Sequence, residues 1–515
     1  MGRSGIRAPA AAPTKSRCRS IGEFGMRIAF VTSEVGPFSK TGGLADVSAA
    51  LPAALAGRGI EVTVFSPLYR GAAAELGRLT APIDELHGAT LWIGDEQHPT
   101  RYRRTEASGC RFVFVADDPY YDRPGLYVGP DGGEYADNVA RFAFLCRATL
   151  EYCLTNGAVP DVFHLNDWQT ALIPVYLHTI YRRPELARAR TLFTLHNLAY
   201  QGRAAPAQLY ATGLDWSVFH PGALEFYGML NLLKAGLVFA DALTTVSPSY
   251  AEEIQLPAFG YGLDGVLRAA RTKLSGILNG IDARRWNPAA DPLLPARFRA
   301  NDLRGKAACK RALQERLGLP VRADALLLGA ISRFDVQKGI PLIADAWRIV
   351  APLALQLVVL GSGDGWLEQR VRDLAADYPQ QLAASIGFAE PLAHLIEAGA
   401  DAFLMPSAFE PCGLSQMYSQ RYGTVPIVHA TGGLKDTVRD ATPVRLADAT
   451  ASGFSFDHYD AAHLADAILR AQQLYAGAPD TWRRLQRLCM ALDHSWEHRA
   501  GAYVDLYARL VAGGG

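Results

Sequence analysis

Residues 403–438, FLMPSAFEPCGLSQMYSQRYGTVPIVHATGGLKDTV, constrain the fold of this chain more than any other stretch. An apolar run ends in a loop carrying Glu410, Pro411, Cys412 and Gly413. A helix-like segment follows, then a strand-like run over 425–428, then a second turn at Gly432–Gly433. Strand, turn, helix, strand, turn is the repeat of a parallel α/β sheet. A carboxylate and two glycine-rich turns at strand-to-helix junctions are what a site for an anionic sugar phosphate needs. Glycines let the backbone approach closely, and helix N-termini present free N–H groups. Each turn alone reads as an ordinary turn of such a sheet; the matching pieces upstream argue against that reading.

From residue 26 an apolar strand (26–32) runs into a glycine-rich loop, a helix from about 44 to 57, and a second strand (61–65). This βαβ unit implies a right-handed crossover, a parallel sheet and ligands at the strand C-termini. The loop is KTGGLADV (40–47) rather than GxGxxG, so the dinucleotide fingerprint is absent. Lys40 sits where it meets an anion at the helix start. Asp46, in the first turn, is equally a ligand or a partner of the helix dipole. Strands over 162–165, 191–195 and 242–246 deliver Asp167 with Trp168, His196 with Asn197, and Ser247 to one sheet edge. A lone Asp or His there is ordinarily a cap; three consecutive strands doing the same mark a site. Between them, residues 71–115 hold short alternating strands (90–93, 112–115) and a basic cluster at 101–104, read as a solvated edge. An aromatic, turn-rich loop around Tyr121, Asp122 and Arg123 suits stacking on sugar rings or capping of the core.

A chain of 515 residues exceeds what one core supports, so two or more domains are expected. The first half closes with a strand over 273–278, a turn at Asn279, Gly280 and Asp282, and a proline-rich connection, which places a boundary near 283–300. The second half restarts with a helix (306–317), a strand (325–331), the loop SRFDVQKGI and a helix from about 340. Strands over 355–360 with GSGDG after them, 385–386, 401–405, 425–428 and 453–456 give a second doubly wound sheet. From 461 to near 511 the pattern is helical, and the terminal helix is expected to return to the first domain. The expected domains are therefore 26–283, 284–490 and a C-terminal helix within 491–515.

Arg333 and Lys338, five apart in a strand-to-helix loop, can hold a diphosphate and neutralise it as a leaving group; an isolated pair would read as two surface cations. GSGDG offers another backbone cradle, Glu410 an acceptor for sugar hydroxyls, and Gly432, Gly433 and Leu434 backbone donors for phosphate. No Asp, Glu or His cluster has metal spacing, no DxD stands at a strand end in the first half, and GxSxG, HExxH, Walker and CxxC motifs are absent. With 51 basic and 51 acidic side chains the net charge is zero, which argues against bulk binding to nucleic acid or anionic membrane. No apolar run reaches bilayer length. Seven scattered cysteines point to a reducing compartment and to thiols as core fillers; Cys412 reads first as a small buried residue and second as a reactive one. Residues 1–25 are basic and lack the apolar core of a secretory signal. They read as a transit peptide, an upstream start or a leader, disordered and outside the fold.

These loops resemble, in family order over roughly 26–510, those of bacterial glycogen synthase and plant starch synthase. The matching pieces are KTGGLADV (40–47), HLNDWQT (164–170), TLHNLAYQG (194–202), LKAGLVFADALTTVSPSYAEEI (233–254) and GLDGVL (262–267). LNGID with WNP (278–288), ISRFDVQKG (331–339), FEPCGLSQMYSQRYGTVPIV (409–428) and ATGGLKDTV (430–438) complete the set. The resemblance implies an α/β protein of GT-B architecture, two Rossmann-like doubly wound parallel-sheet domains facing across a cleft. It further implies retaining transfer of glucose from ADP-glucose to an α-1,4-glucan without a metal or other cofactor. The donor would sit mainly on the second domain and the glucan on the first. Lys40, Gly43 and Asp46 would lie near the donor, and Asp167 and His196 would reach the glucose with Asn197 and Asn279 nearby. Arg333 and Lys338 would bind the diphosphate, Glu410 would be the essential carboxylate, and Cys412, Gly413 and Leu414 would line its loop. Tyr121 would be the nucleotide-stacking tyrosine. Nothing in these loops reads the nucleotide base unambiguously, so UDP-glucose is the alternative donor. A non-catalytic glucan-binding protein is the other reading, disfavoured because the set is intact; a glucan phosphorylase would need a pyridoxal lysine motif that is absent. The implied setting is the cytoplasm, or the plastid stroma if the tail is a transit peptide. One departure stands out: Ala408 occupies the place of the family's arginine two residues before Glu410.

Overall fold

A computed structural model of the protein describes residues 25–513, so the leader reading for 1–25 lies, but for Gly25, outside the described residues. The first half supplies β1 (Arg27–Val31), β2 (Glu61–Pro67), β3 (Asp84–Ile93), β4 (Glu96–Ala107), β5 (Cys110–Ala116), β6 (Val162–Asn166) and β7 (Arg190–Leu195). Next, β8 (Arg203–Ala204), β9 (Glu225–Phe226) and β10 (Met229–Asn231) make a small antiparallel sheet, and β11 (Ala242–Thr245) and β12 (Leu274–Gly276) complete the main one. That nine-stranded sheet has the order β12-β11-β7-β6-β1-β2-β5-β4-β3. It is parallel from β12 to β5. Its inner strands are near-continuous apolar runs because helices cover both faces.

The basic residues at 101–104 are not a solvated edge. They lie on β4, paired on both sides in an antiparallel extension, and β3 is the edge. Arg103 and Arg104 reach Glu85 and Asp84 of β3 at 3.0 and 2.6 Å. Cross-strand ion pairs on a half-exposed sheet replace the apolar alternation by which a strand is usually recognised.

β13 (Leu326–Phe334), β14 (Leu355–Gly363), β15 (Leu382–Ile386), β16 (Ala402–Met405), β17 (Val425–His429) and β18 (Phe454–Phe456) form the second sheet, all parallel, in the order β15-β14-β13-β16-β17-β18. β13 and β14 run further than their apolar runs indicate: Arg333 pairs with Ser362 and Phe334 with Gly363. Most of GSGDG is therefore strand, not a loop cradle.

The C-terminal helical stretch is three helices, Ala461–Gly477, Pro479–Met490 and Trp496–Ala512. Pro479 has no N–H to donate into the preceding helix and starts the next one. The Ser495 side chain accepts from the His498 N–H and opens the third. The first two pack on the second sheet, whereas Trp496, Tyr503 and Tyr507 of the last are buried in the core of the first. The chain thus returns to where it began, and the C-terminal ends of both sheets face each other.

Candidate active site

The first-domain wall begins with a residue that the sequence motifs pass over. Glu34 follows β1, is only 4% exposed, and accepts from Thr41 N (2.6 Å), Thr41 Oγ1 (2.5 Å), Gly42 N (3.2 Å) and the Tyr127 hydroxyl (2.8 Å). The KTGGL turn is built around this carboxylate. An acid just beyond a central strand, at the edge that delivers Asp167, is the signal that would have found it. Lys40 Nζ contacts Asp46 Oδ1 at 2.7 Å, so the partner of Asp46 is the lysine of its own loop. Gly43 opens helix Gly43–Ala56, and a methyl group on it would come within 3.6 Å of Leu414 Cδ1 of the second domain. The two glycine loops meet across the cleft.

Asp167 and His196 are brought together. Asp167 adopts φ +58°, its N–H donates to Thr194 O (3.0 Å), and its Oδ1 accepts from the His196 N–H at 2.7 Å. Burial pushes its carboxyl up to about 7; the backbone N–H groups of His196 and Asn197 oppose that shift and the Glu34 charge adds to it. Asn166 gives its amide N–H to Val31 O (3.0 Å), so its Oδ1, 2.9 Å from His196 Nε2, is the acceptor. His196 Nε2 therefore carries the proton and Nδ1 is left as an acceptor. Burial lowers His196 to about 3, so the ring is neutral at working pH. Asn197 Oδ1 accepts from Ala199 N (3.0 Å) and shapes the turn. Asn279 is buried with an unpaired Oδ1.

On the second domain, Arg333 is the penultimate residue of β13, half-exposed and 3.4 Å from Asp335. Asp335 Oδ1 caps the short turn by accepting from Lys338 N (2.9 Å). Gly339 then has φ +73°, and a side chain there would overlap the carbonyl oxygen of Pro406. Only glycine lets the turn lie flat against the strand end that carries Glu410. The result is a short buried contact, Lys338 Nζ to Glu410 Oε2 at 2.6 Å. Ser407 Oγ donates to the same oxygen at 2.9 Å. Among the described residues nothing donates to Oε1, which is left for a ligand.

Two expectations are corrected. Gly432, Gly433 and Leu434 do not offer donors to phosphate: their N–H groups are taken by Glu253 Oε1 (2.8 Å), Glu410 O (3.1 Å) and Thr431 O (3.0 Å). Those glycines are there because side chains at 432 and 433 would overlap the backbone of Glu410 and Cys412. By contrast, no described residue accepts from the N–H groups of Gly413, Leu414 or Ser415 at the uncapped start of helix Ser415–Arg421. Tyr121 does not stack on a nucleotide. The short helix Asp118–Tyr121 turns it inward, where it is fully buried, donates to Arg141 O (2.7 Å) and packs edge-on against Tyr69. Tyr127, six residues on, is the loop tyrosine at the site, its hydroxyl shared between Ser33 Oγ (2.8 Å) and Glu34.

The Cys412 side chain is buried with Val246, Ile281 and Met417 between the domains, and burial pushes its thiol up to about 12; it packs rather than reacts. At 408 the backbone does the joining: Ala408 N donates to Gln337 O (2.8 Å) and Gln337 Nε2 to Phe409 O (3.1 Å), neither needing an arginine. Among the described residues no three His, Cys, Asp or Glu side chains group as a metal would need.

The chain matches the starch synthase catalytic domain family over residues 27–269 and glycosyl transferases group 1 over 315–477. It is 48% identical over 495 residues to a glycogen synthase of Anaeromyxobacter dehalogenans, covering 95% of this chain and 100% of the relative. A Thermotoga maritima glycogen synthase is 44% identical, covering 95% and 99%. The catalytic domain of starch synthase IV from Arabidopsis thaliana, solved with ADP and acarbose, superposes with a TM-score of 0.86 at 33% identity, covering 95% and 100%. A sucrose-phosphate synthase from Thermosynechococcus elongatus, TM-score 0.57 at 20% identity, shares the fold. At 48% and 44% identity over nearly the full length of both chains, the protein belongs to the glycogen synthase and starch synthase family of GT-B glycosyltransferases.

Proposed function

We propose that the protein transfers glucose from ADP-glucose to the non-reducing end of an α-1,4-glucan, with retention of configuration and without a metal. The observation that carries this reading is the Lys338–Glu410 pair, 2.6 Å apart, with no donor to Glu410 Oε1 among the described residues. It sets a cation for a leaving diphosphate beside a carboxylate for sugar hydroxyls. Starch synthase IV binds ADP and acarbose in the related structure, which supports a nucleoside diphosphate and an α-glucan as the ligand classes.

As the bond from glucose C1 to the diphosphate breaks, charge grows on both fragments. Arg333, Lys338 and the open N–H groups of Gly413, Leu414 and Ser415 stabilise the anion; Asp167, when ionised, stabilises the positive anomeric carbon. Retention by double displacement would need a nucleophilic carboxylate beneath the sugar. Asp167 Oδ1 is held by the His196 N–H and Glu410 Oε2 by Lys338 and Ser407. On this reading Glu410 Oε1 takes sugar hydroxyls and Asp167 acts through its charge, which leaves the nucleophile's place unfilled. We therefore favour same-face attack: the acceptor 4-hydroxyl forms the new C1–O bond and its proton passes to the departing phosphate. Every described cysteine is buried and unpaired, in keeping with a reducing compartment such as the cytoplasm, and no described helix is long and apolar enough to cross a membrane.

The test is nucleoside diphosphate release from ADP-glucose and from UDP-glucose, with glycogen, with and without EDTA, for the parent protein and Glu410→Ala. Release from ADP-glucose that EDTA leaves intact and the variant loses is the expected result. Preference for UDP-glucose overturns the donor, inhibition by EDTA overturns metal independence, and no release from either leaves a glucan-binding protein. A trapped glucosyl adduct on Asp167 or Glu410 would overturn same-face attack.

A further inference from the structure

Two tyrosines near the cleft stand in backbone conformations that tyrosine disfavours. Tyr227 has φ +50° and Tyr261 φ +49°, and each precedes a glycine also at positive φ, Gly228 at +76° and Gly262 at +81°. Tyr227–Gly228 is the two-residue turn joining β9 to β10, where Phe226 pairs with Met229. Such a turn asks for Asn, Asp or Gly at its first position, and a bulky side chain there is a true outlier. Burial does not offset the strain, because Tyr227 is 80% exposed and Tyr261 43% exposed. Strain kept without burial points to a use outside the fold.

The two turns are neighbours and lead to the site. A methyl group on Gly262 would meet the Phe226 ring and lie 3.7 Å from that of Tyr227. Gln201 ties the turns together: its Nε2 donates to Tyr261 O (3.2 Å) and its Oε1 accepts from Asn231 of β10 (2.8 Å). Tyr261 stands edge-on to Phe409, 5.8 Å between ring centres, next to Glu410. Tyr200, 52% exposed and in the same loop as His196, places its hydroxyl beside Arg333. Open tyrosine faces therefore run outward from the diphosphate cation along the first-domain rim.

We propose that Tyr261 and Tyr227 form an acceptor track that stacks against successive glucose rings on the reducing side of the unit being extended. The inference rests on the glucosyl-transfer reading. An α-1,4-glucan offers pyranose C–H faces at regular intervals, the surface an exposed aromatic face takes, while the hydroxyls stay in water. A chain growing at its non-reducing end must lie outward from the site, the direction these rings take. The strained turns hold each ring against a single T-shaped aromatic neighbour, Tyr227 on Phe226 at 4.7 Å and Tyr261 on Phe409 at 5.8 Å, and leave both partly open to solvent.

The experiment measures kcat/KM with glycogen and with maltose, maltoheptaose binding by calorimetry, and Tm, for the parent, Tyr227→Gly and Tyr227→Phe. Tyr227→Gly is expected to raise Tm, to lower the glycogen-to-maltose ratio of kcat/KM about fivefold or more, and to weaken maltoheptaose binding by a similar factor. Tyr227→Phe retains the ring and is expected to restore the ratio. An unchanged ratio with unchanged maltoheptaose affinity in Tyr227→Gly overturns the track. If the parent transfers no glucose, the transfer reading fails by itself, and the calorimetry still decides the track.

Discussion

The Glu253 carboxylate and the Gly432 amide meet at 2.8 Å across the two domains, and the contact is reciprocated. Thr431 Oγ1 lies 3.3 Å from both Glu253 oxygens, while Asp436 accepts from Ser249 N (2.8 Å) and Ser249 Oγ (2.7 Å). Helices Pro248–Glu253 and Gly432–Thr437 thus each lend an acid from the last turn to the first turn of the other, satisfying orphan N–H groups and opposing the helix dipoles. Neither helix could be capped this way unless the domains stood in this orientation. Glu253→Ala removes half of the arrangement, about 1.5–3 kcal/mol for hydrogen bonds to a charged group before solvent discounts it. Turnover should fall and the radius of gyration by X-ray scattering should rise, with Glu253→Gln closer to the parent because it still offers an acceptor. Burial raises the Glu253 carboxyl, so the contact weakens on acidification sooner than an ordinary glutamate would. Parent-like scattering and turnover in Glu253→Ala would refute the coupling.

Lys338 and Glu410 form an ion pair at the site in which both side chains are largely buried. Removing one charge leaves the other desolvated, a cost of about 3–5 kcal/mol. Lys338→Met should therefore lower both stability, read by urea unfolding, and kcat, by roughly 100-fold or more as expected for loss of a charge that stabilises the leaving group. Ser407→Ala leaves the ion pair and removes one donor to the carboxylate, so a smaller loss of about 1.5–3 kcal/mol is expected, with kcat changed far less than in Lys338→Met. Equal effects of the two substitutions would mean that the pair has no special role.

Asp167 sets a pH prediction. Its carboxyl is held at about 7 in the fold, against an ordinary value of 3.8, chiefly by burial. Folding therefore favours the protonated form. The cost of burying the charge is absent below pH 3.8, grows as pH rises and is complete above about 7. Asp167→Asn should accordingly raise Tm more at pH 8 than at pH 5, by a difference worth roughly 2–4 kcal/mol at ~1.4 kcal/mol per unit. In the parent, kcat should climb through about pH 7 as the carboxylate forms. His196, held near 3 by burial, adds no second limb there. A flat profile between pH 6 and 8 would remove the charge from the mechanism.

What the chain discloses in advance is decided by where its residues spend their hydrogen bonds. Central strands such as β1 and β6 are legible because burial on both faces demands unbroken apolar runs. Asp167, His196, Lys338 and Glu410 could be placed at the sheet edges because they follow such strands, and Arg333 because it stands at the penultimate position of one. β4 is hidden because ion pairs with β3 replace apolar alternation. Gly432 and Gly433 look like phosphate turns, yet their glycines answer to a backbone packed against them from within the same domain. Tyr121 and Tyr127 share one aromatic loop, and only the turn at 118–121 decides which ring faces inward. Glu34 is silent because its role lies entirely in partners seven and eight residues later and a tyrosine 93 residues on.

The return of the last helix to the first sheet gives the final prediction. Buried His164 on β6 has its Nδ1 2.6 Å from the Tyr507 hydroxyl and its Nε2 2.8 Å from Thr194 Oγ1, which is 2.6 Å from Thr244 Oγ1. Burial lowers His164 to about 3, so this is a neutral network in which each member needs its neighbour. Tyr507→Phe leaves a buried ring nitrogen unpaired while preserving the packed ring, a loss of about 1–3 kcal/mol. His164→Phe alone strands the tyrosine hydroxyl in the same way. Combined, the substitutions leave neither group unpaired, so the double variant should be more stable than the sum of the single losses implies, by ~0.5 kcal/mol or more. Denaturant unfolding of the four proteins measures this directly. Additive losses would mean that the helix is held by the packing of Trp496, Tyr503 and Leu506 alone, with the hydrogen bond contributing nothing of its own.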